Sequence, residues 1–307
     1  MKEPVSFPRI SVCVTSLNRA RALEKTLPAL LAQDYPAECL ELLLLDDGSS
    51  DDTRAVMEKF AAEFKKGGVA DAVVFRNETN RGLIEARNFL AAKASGLSRA
   101  LLVLDDDVYL ERDSVRRLAA YFFSRSGCAA LGPRVVFKSA REKTASAANF
   151  INRLTGVYSM MEPGEPVECD WLSTCCLLID LAAWKKIGGL YEPFYTCHED
   201  PDLCLRLKNN GGLVVYFPEV TVLHDIIPGR TRRERLYYLY RNKFMVFRRN
   251  FGFLGFAASS LGTLLFGLPK YLLESLRAGG GGAELLLIVR AVIHGLLGRE
   301  GRGGGVG

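Results

Sequence analysis

Three consecutive aspartates, Asp105, Asp106 and Asp107, follow the apolar run LLVL at residues 101–104. A short run rich in Leu and Val predicts a strand buried on both faces. Because desolvating an unpaired carboxylate is expensive, the aspartates must lie at the carboxyl end of this strand, where open α/β sheets bind ligands. Such closely packed carboxylates favour Mg²⁺ or Mn²⁺, which usually accompany substrate phosphates. A solvated acidic turn before a helix capped by Asp113 is the alternative.

A second group of titratable side chains, His198, Glu199, Asp200 and Asp202, falls within five residues at the start of a predicted helix. Acidic residues favour a helix N-terminus, which explains one of them but not all four. A carboxylate near the ligand edge of the sheet could act as a general base for an alcohol. His224 ends a later predicted strand, as the aspartates do, and could complete a metal site.

Alternating strands and helices are expected to position these side chains. The predicted strands are 10–16, 42–45, 72–75 and 101–108, and the predicted helices are 20–33, 52–64 and 83–95. This alternation indicates βαβ units and a parallel sheet. Parallel strands bring their polar carboxyl ends to one edge, which is the layout of a nucleotide site. Neither GxxxxGK[ST] nor GxGxxG follows the first strand, so a P-loop and a dinucleotide fingerprint have no support.

The pattern changes after residue 113. We expect a helix at 114–124, strands at 129–137 and 169–179, a short helix at 181–187, and two short strands at 214–217 and 220–223. Residues 138–166 have no sustained hydrophobic period, so they are interpreted as an acceptor-side flap or, alternatively, as a disordered insertion.

Composition sets broad limits on the class of protein. A chain of 307 residues can hold one large or two modest domains and bury a substantial core without disulfides. Its eight cysteines lack the paired spacing of zinc sites, and MKEPVSFPRI has no signal-peptide apolar core. We therefore expect a reducing, cytoplasmic setting.

Taken together, the motifs resemble those of inverting, nucleotide-sugar-dependent glycosyltransferases of family 2, with the rhamnosyltransferase-like members most similar. The resemblance covers roughly residues 8–250, and the order and spacing of the motifs are more specific than any single one. The matching residues are Thr15, Asn18-Arg19, Asp46-Asp47-Gly48-Ser49, Asn80-Arg81-Gly82, Arg87-Asn88, Asp105–Asp107, Gly188-Gly189, His198 to Leu203 with Arg206, Pro218 to His224, Tyr237-Tyr238 and Arg241-Asn242.

The resemblance implies an α/β architecture of the GT-A type, a nucleotide-sugar-binding fold with a central, mostly parallel sheet. The catalytic domain would span 1–228, with a nucleotide-binding half at 8–112 and an acceptor half at 113–228. A C-terminal helical, membrane-proximal region would span 229–300, followed by a flexible tail at 301–307.

It also implies roles for individual residues. Asp200 would be the catalytic base, with Glu199 and Trp171 on the acceptor side. A divalent cation, Mn²⁺ or Mg²⁺, would be held by Asp105, Asp107 and His224. The nucleotide-sugar donor would be bound by Thr15, Asn18, Arg19, Asp46, Asn80, Arg87, Asp105 and Asp106. These assignments fit the chemistry, because an inverting transfer needs one base on the acceptor and a cation on the leaving diphosphate.

Two departures from the family pattern limit which of the family's properties can be assigned to this chain. Ser173-Thr174-Cys175-Cys176 stands where a Gly-Ala pair is common, so the donor sugar is left open between UDP- and dTDP-linked sugars. The QxxRW motif of processive synthases is absent, since Gln33 is the only glutamine, which favours single additions. The acceptor is expected to be a glycan or lipid-linked hydroxyl.

Two other function classes remain open at this point. A sugar-nucleotide nucleotidyltransferase should carry a glycine-rich, basic first loop, and residues 17–21 lack the glycines. A non-catalytic sugar-nucleotide-binding protein should have lost the second acidic group, yet Glu199 and Asp200 are present.

The C-terminal third is basic and then apolar. Eight Lys or Arg residues fall between Arg230 and Arg249, and the interleaved aromatic residues recur at helical spacing, which favours packing on the core over nucleic-acid binding. Phe251–Pro269 has 19 residues without a charge, and Ala283–Leu297 is a second apolar stretch. We expect interfacial helices at the inner face of the cell membrane, with a true span or a homodimer interface as alternatives.

Overall fold

A computed structural model describes residues 7–226, 232–277 and 281–301 of the chain. The first part alternates strands and helices as predicted. Its elements are β1 (Ile10–Ser16), α1 (Ala20–Leu31), β2 (Leu40–Asp46), α2 (Thr53–Lys66), β3 (Asp71–Arg76), α3 (Leu83–Lys93) and β4 (Ala100–Asp105).

The middle part adds further strands and three helices, the last of which begins at the second acidic group. Its elements are β5 (Val108–Tyr109), α4 (Ser114–Ser124), β6 (Cys128–Phe137), β7 (Ala140–Ser146), β8 (Ala148–Ile151), β9 (Tyr158–Met161), β10 (Val167–Glu168), β11 (Cys176–Asp180), α5 (Leu181–Ile187), α6 (Glu199–Asn209) and β12 (Leu213–His224). The C-terminal part is helical, with α7 (Arg232–Asn250), α8 (Gly252–Gly262), α9 (Leu268–Arg277) and α10 (Gly282–Leu296).

Ten strands form the central sheet, in the order β10-β12-β6-β11-β4-β1-β2-β3, with β5 on β12 and β7 on β6. Strands β1 to β4 pair in parallel, and β11 lies antiparallel between β4 and β6. The mostly parallel α/β fold is therefore confirmed. In this register Thr15 lies opposite Asp105 and Ser16 lies opposite Asp46, so the predicted functional strand ends share one edge of the sheet.

Two predictions about the middle part were wrong, and one alternative is excluded. Residues 138–166 contain β7, β8 and β9, because β7 pairs with β6 and β8 forms a hairpin with β9. This order excludes the disordered insertion, whereas the acceptor-side flap stays a prediction. The two strands predicted at 214–217 and 220–223 are one strand, β12, with an irregularity around Pro218, which cannot donate to the ladder. The strand predicted at 169–179 begins only at Cys176. The buried polar side chain of Thr174, just before it, bonds to groups outside the sheet.

Two apolar layers cover the sheet. Leu102 and Leu104 point into the layer formed with α1, α2 and α4, whereas Leu101 and Val103 point into the layer formed with α3, α6 and α7. The strand before the aspartates is thus buried on both faces, as predicted. Because α7 contributes to the second layer, the C-terminal region packs on the catalytic core. The predicted boundary at 228/229 and the predicted tail beyond Gly301 lie outside the described residues.

Candidate active site

The structure brings together the three residues predicted to bind a metal. Strand β4 ends at Asp105 and β12 ends at His224, and β5 pairs with the end of β12, which holds the intervening turn in place. His224 Nε2 lies 3.0 Å from Asp107 Oδ1 and 3.8 Å from Asp105 Oδ2, and one ligand atom from each residue lies within 4.8 Å of the others. Two carboxylates and an imidazole form a donor set that suits Mn²⁺, and the carboxylates also suit Mg²⁺.

Positive groups surround this acidic turn. The guanidinium of Arg19 lies 2.8 Å from Asp107 and 3.4 Å from Asp106. Burial raises the pKa of Asp106 to about 6, although the charge of Arg19 opposes the shift. Burial disfavours protonated His224, yet its hydrogen bond to Asp107 raises the pKa of His224 to about 11. The negative charge concentrated in this turn therefore attracts positive groups.

A cavity of about 420 Å³ opens beside the aspartates, a size typical of small-ligand sites. Four of the residues predicted to bind the donor line it: Thr15, Arg19, Asn80 and Asp106. It lies at the carboxyl ends of the parallel strands, where α/β sheets bind nucleotides.

Other residues that were predicted to bind the nucleotide-sugar hold the loops around the cavity in place. Asn18 Oδ1 accepts a hydrogen bond from the backbone N–H of Ser50 at 2.8 Å. Asp46 is fully buried and accepts one from Arg76 at 2.8 Å. The neighbouring Asp47 lines the cavity instead, and its carboxylate accepts a hydrogen bond from the N–H of Gly82 at 2.9 Å. Which of Asp46 and Asp47 faces the cavity depends on the path of the backbone, which the DDGS motif alone does not reveal.

Three further cavity residues, Tyr195, Arg235 and Tyr238, were missed by the sequence reasoning. Arg235 and Tyr238 belong to α7, whose aromatic spacing predicts packing on the core. The Tyr237-Tyr238 pair was part of the family resemblance, but its helical spacing suggested only packing. Helix α7 therefore forms one wall of the cavity.

The second acidic group opens α6 after a strained turn. Tyr195, Cys197 and His198 each have a positive φ of 64°, a conformation that non-glycine residues rarely adopt and that clusters at functional sites. Glu199 is buried, and its Oε2 has no hydrogen-bond partner within the described part of the chain. Burial, reinforced by the neighbouring charge of Asp200, raises the pKa of Glu199 to about 7. Burial also raises the pKa of Asp200.

The two acidic groups are connected through side chains. Arg87, buried in α3, donates a hydrogen bond to Asp105 and another, at 2.8 Å, to the hydroxyl of Thr174. Thr174 in turn donates to Asp200. The guanidinium of Arg87 thus lies between the acidic turn and the start of α6, and the groups predicted to handle donor and acceptor belong to one continuous network.

Asp202 has a different role from its acidic neighbours. It is fully buried and accepts hydrogen bonds from Arg206 at 2.7 Å and from Arg249 and Asn250, each at 2.9 Å. These contacts attach α6 to α7. Asp202 is therefore the member of the second acidic group whose role is structural.

Trp171, predicted to lie on the acceptor side, is placed next to the β8–β9 hairpin. It forms an isolated backbone bridge with Asn149, and its ring lies 6.1 Å from that of Tyr158. The ring of Tyr158 also contacts His198, at 5.4 Å. Among the described residues the buried indole N–H of Trp171 has no hydrogen-bond partner.

Comparison with known proteins identifies the family. The profile described as glycosyl transferase family 2 matches residues 11–173, just over half of the chain. The chain belongs to this family. It is therefore a glycosyltransferase that transfers a sugar from a nucleotide-sugar, and the nucleotidyltransferase and non-catalytic alternatives lose their support.

Relatives and solved structures agree with this placement. The chain is 28% identical over 225 residues to an N-acetylglucosaminyl-diphospho-decaprenol L-rhamnosyltransferase of Mycobacterium tuberculosis, covering 66% of this chain and 71% of the relative. It is 25% identical over 239 residues to a glucosyl-dolichyl phosphate glucuronosyltransferase of Haloferax volcanii, covering 75% and 72%. A mannosyltransferase of Pyrobaculum calidifontis, solved with GDP-Man and Mn²⁺, has the same fold, with a TM-score of 0.61, 15% identity and coverage of 97% and 92%.

Proposed function

We propose that this glycosyltransferase inverts the anomeric configuration of the sugar it transfers. The donor would be a UDP- or dTDP-linked sugar, and the acceptor a hydroxyl of a lipid-linked or cell-surface glycan precursor, extended by one sugar at a time. The observation that carries the proposal is the side-chain network from Asp105 through Arg87 and Thr174 to Asp200. The network would link Asp105, at the proposed cation site, to Asp200, the proposed base, within one site.

The donor side would bind the diphosphate with positive charge. Asp105, Asp107 and His224 would hold Mn²⁺ or Mg²⁺, which when bound stabilises the charge that develops on the leaving diphosphate. Arg19 and Arg235 line the cavity beside this group and would add cationic groups for the phosphates.

On the acceptor side, Asp200 would remove the proton from the attacking hydroxyl. The hydroxyl oxygen bonds to the anomeric carbon while the bond from that carbon to the diphosphate breaks, which inverts the configuration and releases the nucleoside diphosphate. One base is sufficient, because the leaving group departs as a charged diphosphate and needs no proton. With its pKa raised to about 7 by burial, Glu199 is partly protonated at neutral pH and suited to hydrogen bonding with a sugar hydroxyl.

The function is tested by incubating the purified chain with Mn²⁺, a panel of UDP- and dTDP-sugars, and a polyprenyl-diphosphate-linked N-acetylglucosamine acceptor. We expect one donor to give a product with a single added sugar, whose anomeric configuration, read by NMR, is opposite to that of the donor. A product with retained configuration would contradict the single-displacement mechanism. Failure of every nucleotide-sugar to react or to raise the melting temperature would contradict the proposed donor class.

We further propose that the enzyme works at the cytoplasmic face of the membrane, where a lipid-linked acceptor would be found. Helix residues 252–277 form one segment of 26 residues that is long and apolar enough to cross a membrane. Only 28% of its most apolar window is buried, and Phe253 and Leu254 are 82% and 80% exposed. The names of both relatives describe sugars attached to decaprenol or dolichol through phosphate. We favour a helix lying in the interface, with its exposed apolar side chains in contact with lipid.

Flotation with vesicles of phosphatidylglycerol and phosphatidylethanolamine tests this location. Phe253→Glu should shift the protein from the vesicle fraction to the soluble fraction, because a charge is inserted at the proposed contact. Leu97→Glu is the matched control, since Leu97 is 73% exposed but lies in the turn between α3 and β4. A wild-type chain that stays soluble, or that elutes as a dimer disrupted by Phe253→Glu, would contradict the membrane proposal.

A further inference from the structure

We propose that Thr174 is a positioning residue that orients the carboxylate of Asp200 and keeps it ionised. This inference rests on the proposed role of Asp200 as the base that accepts the proton of the attacking hydroxyl. Thr174 lies in the segment before β11 where this chain departs from the Gly-Ala pair common in the family, and neither glycine nor alanine has a hydroxyl.

The position of the Thr174 hydroxyl is fixed from two sides. Its side chain is buried, and the carbonyl of the next residue, Cys175, accepts a hydrogen bond from the N–H of Asp105 at 2.8 Å. On the other side, Nη1 of the buried Arg87 donates to the hydroxyl oxygen at 2.8 Å. The bond from Arg87 and the bond to Asp200 together hold the hydroxyl oxygen next to Asp200.

The direction of the hydroxyl proton follows from the chemistry of its two partners. A guanidinium has five N–H donors and no acceptor, so Arg87 can only donate to Thr174. The single hydroxyl proton of Thr174 is therefore directed to Asp200, where it bonds to Oδ1. We assign the other carboxylate oxygen, Oδ2, as the atom that receives the acceptor proton.

This contact changes the acidity of the proposed base. Burial raises the pKa of Asp200, and the hydrogen bond from the Thr174 hydroxyl is the largest influence that opposes it, followed by the charge of Arg87 and a hydrogen bond from the Thr174 backbone, which a valine would keep. The charged groups that face Asp200 are Glu199 from α6, Arg87 from α3 and Asp105 from β4. Replacing threonine with valine keeps the shape of the side chain and leaves all three charges in place, so the variant removes only the hydroxyl.

The test compares wild type with Thr174→Val and Thr174→Ser in the full chain with Mn²⁺. For Thr174→Val we expect kcat about ten- to hundredfold lower, because the base is no longer aligned. The acid limb of its pH–rate profile should move to higher pH by about one unit, because the Asp200 carboxylate loses a hydrogen bond. The KM for the donor should stay unchanged. Thr174→Ser restores the hydroxyl and should restore both properties.

Thr263→Val is a matched control, because Thr263 is also buried but its hydroxyl has no partner within the described residues. It should leave kcat and the pH profile unchanged. If Thr174→Val and Thr174→Ser lose activity equally, or if the acid limb of Thr174→Val does not move, the inference is overturned.

A second measurement separates this inference from the proposed function. In protein labelled with ¹³C at aspartate carboxyl carbons, the Asp200 signal is assigned by its loss in Asp200→Asn, and its titration needs no turnover. We expect the pKa of Asp200 to be higher in Thr174→Val than in wild type or Thr174→Ser. Equal pKa values would overturn the role of Thr174 even if sugar transfer is established. Absence of transfer in the wild type, with the pKa difference present, would instead count against the proposed function.

Discussion

The buried pair of Arg87 and Asp105 gives a prediction that tests the network at the centre of the site. Replacing Arg87 with methionine keeps much of its volume but removes the charge that lies between the two acidic groups. Asp105 loses its hydrogen-bonded partner, and the hydroxyl of Thr174 loses its donor. We therefore expect Arg87→Met to destabilise the fold and not only to reduce activity.

The size of the effect follows from burial. The side chain of Arg87 is 2% exposed and that of Asp105 is 26% exposed. Removing one partner of a fully buried ion pair costs about 3–5 kcal/mol, and because Asp105 keeps some contact with water we expect about 2–4 kcal/mol. For a chain of this length, that loss corresponds to a fall in melting temperature of about 3–6 °C.

Thermal unfolding in EDTA, where no divalent cation can bind Asp105, measures this loss. Arg54→Met is the matched control, because Arg54 forms an exposed pair with Glu58 on α2 and its loss should leave the melting temperature unchanged. Adding Asp105→Asn to Arg87→Met should recover about half of the loss, since the uncompensated charge is then gone. The reasoning is refuted if Arg87→Met has the same melting temperature as the wild type, or if the double variant melts at a lower temperature than Arg87→Met.

Three further predictions concern the metal, the acidic pair and the donor cavity. His224→Ala should raise the Mn²⁺ concentration for half-maximal activity about tenfold or more, and an unchanged midpoint in a Mn²⁺ titration would exclude His224 as a ligand. Asp200→Asn should lower the pKa of Glu199 from about 7, but only partly, because burial is the larger cause of the shift; ¹³C NMR of labelled glutamate measures it, and an unmoved pKa would show that the two charges do not interact. Gly48→Ala should weaken donor binding, because its Cβ would lie 2.9 Å from the backbone of the loop that lines the cavity. Gly68→Ala has a similar φ, +86°, but open space, so equal donor affinity in these two variants, measured by calorimetry, would contradict this explanation.

The fold was predictable where local patterns are strong. The runs 42–45 and 101–104 are apolar throughout, which is typical of strands covered on both faces, and both form central strands of the sheet. Strand β7 was not predictable in the same way. Its residues Ala140–Ser146 include three exposed charged side chains, and it forms a strand because it pairs with β6, a contact that no local pattern reports.

The site was predictable in its location but not in the direction of each side chain. Parallel strands required Thr15, Asp46 and Asp105 to end at one edge, and they do. The sequence could not show that the side chain of Asp46 points away from the cavity and pairs with Arg76. The directions of neighbouring side chains depend on the local path of the backbone, which the motif does not report. Nor could it show that Arg235 reaches the cavity beside the aspartates from a helix that begins after the last strand.

The central claim is that Asp200 deprotonates the acceptor in a site that binds its donor without help from Asp200. The most direct test is the rate of sugar transfer at saturating donor and Mn²⁺ for wild type, Asp200→Asn and the surface control Asp113→Asn, with donor affinity measured in parallel. Loss of a general base predicts kcat about 10²- to 10⁴-fold lower for Asp200→Asn, with donor affinity and melting temperature close to those of wild type. An equal rate for Asp200→Asn and wild type would contradict the claim.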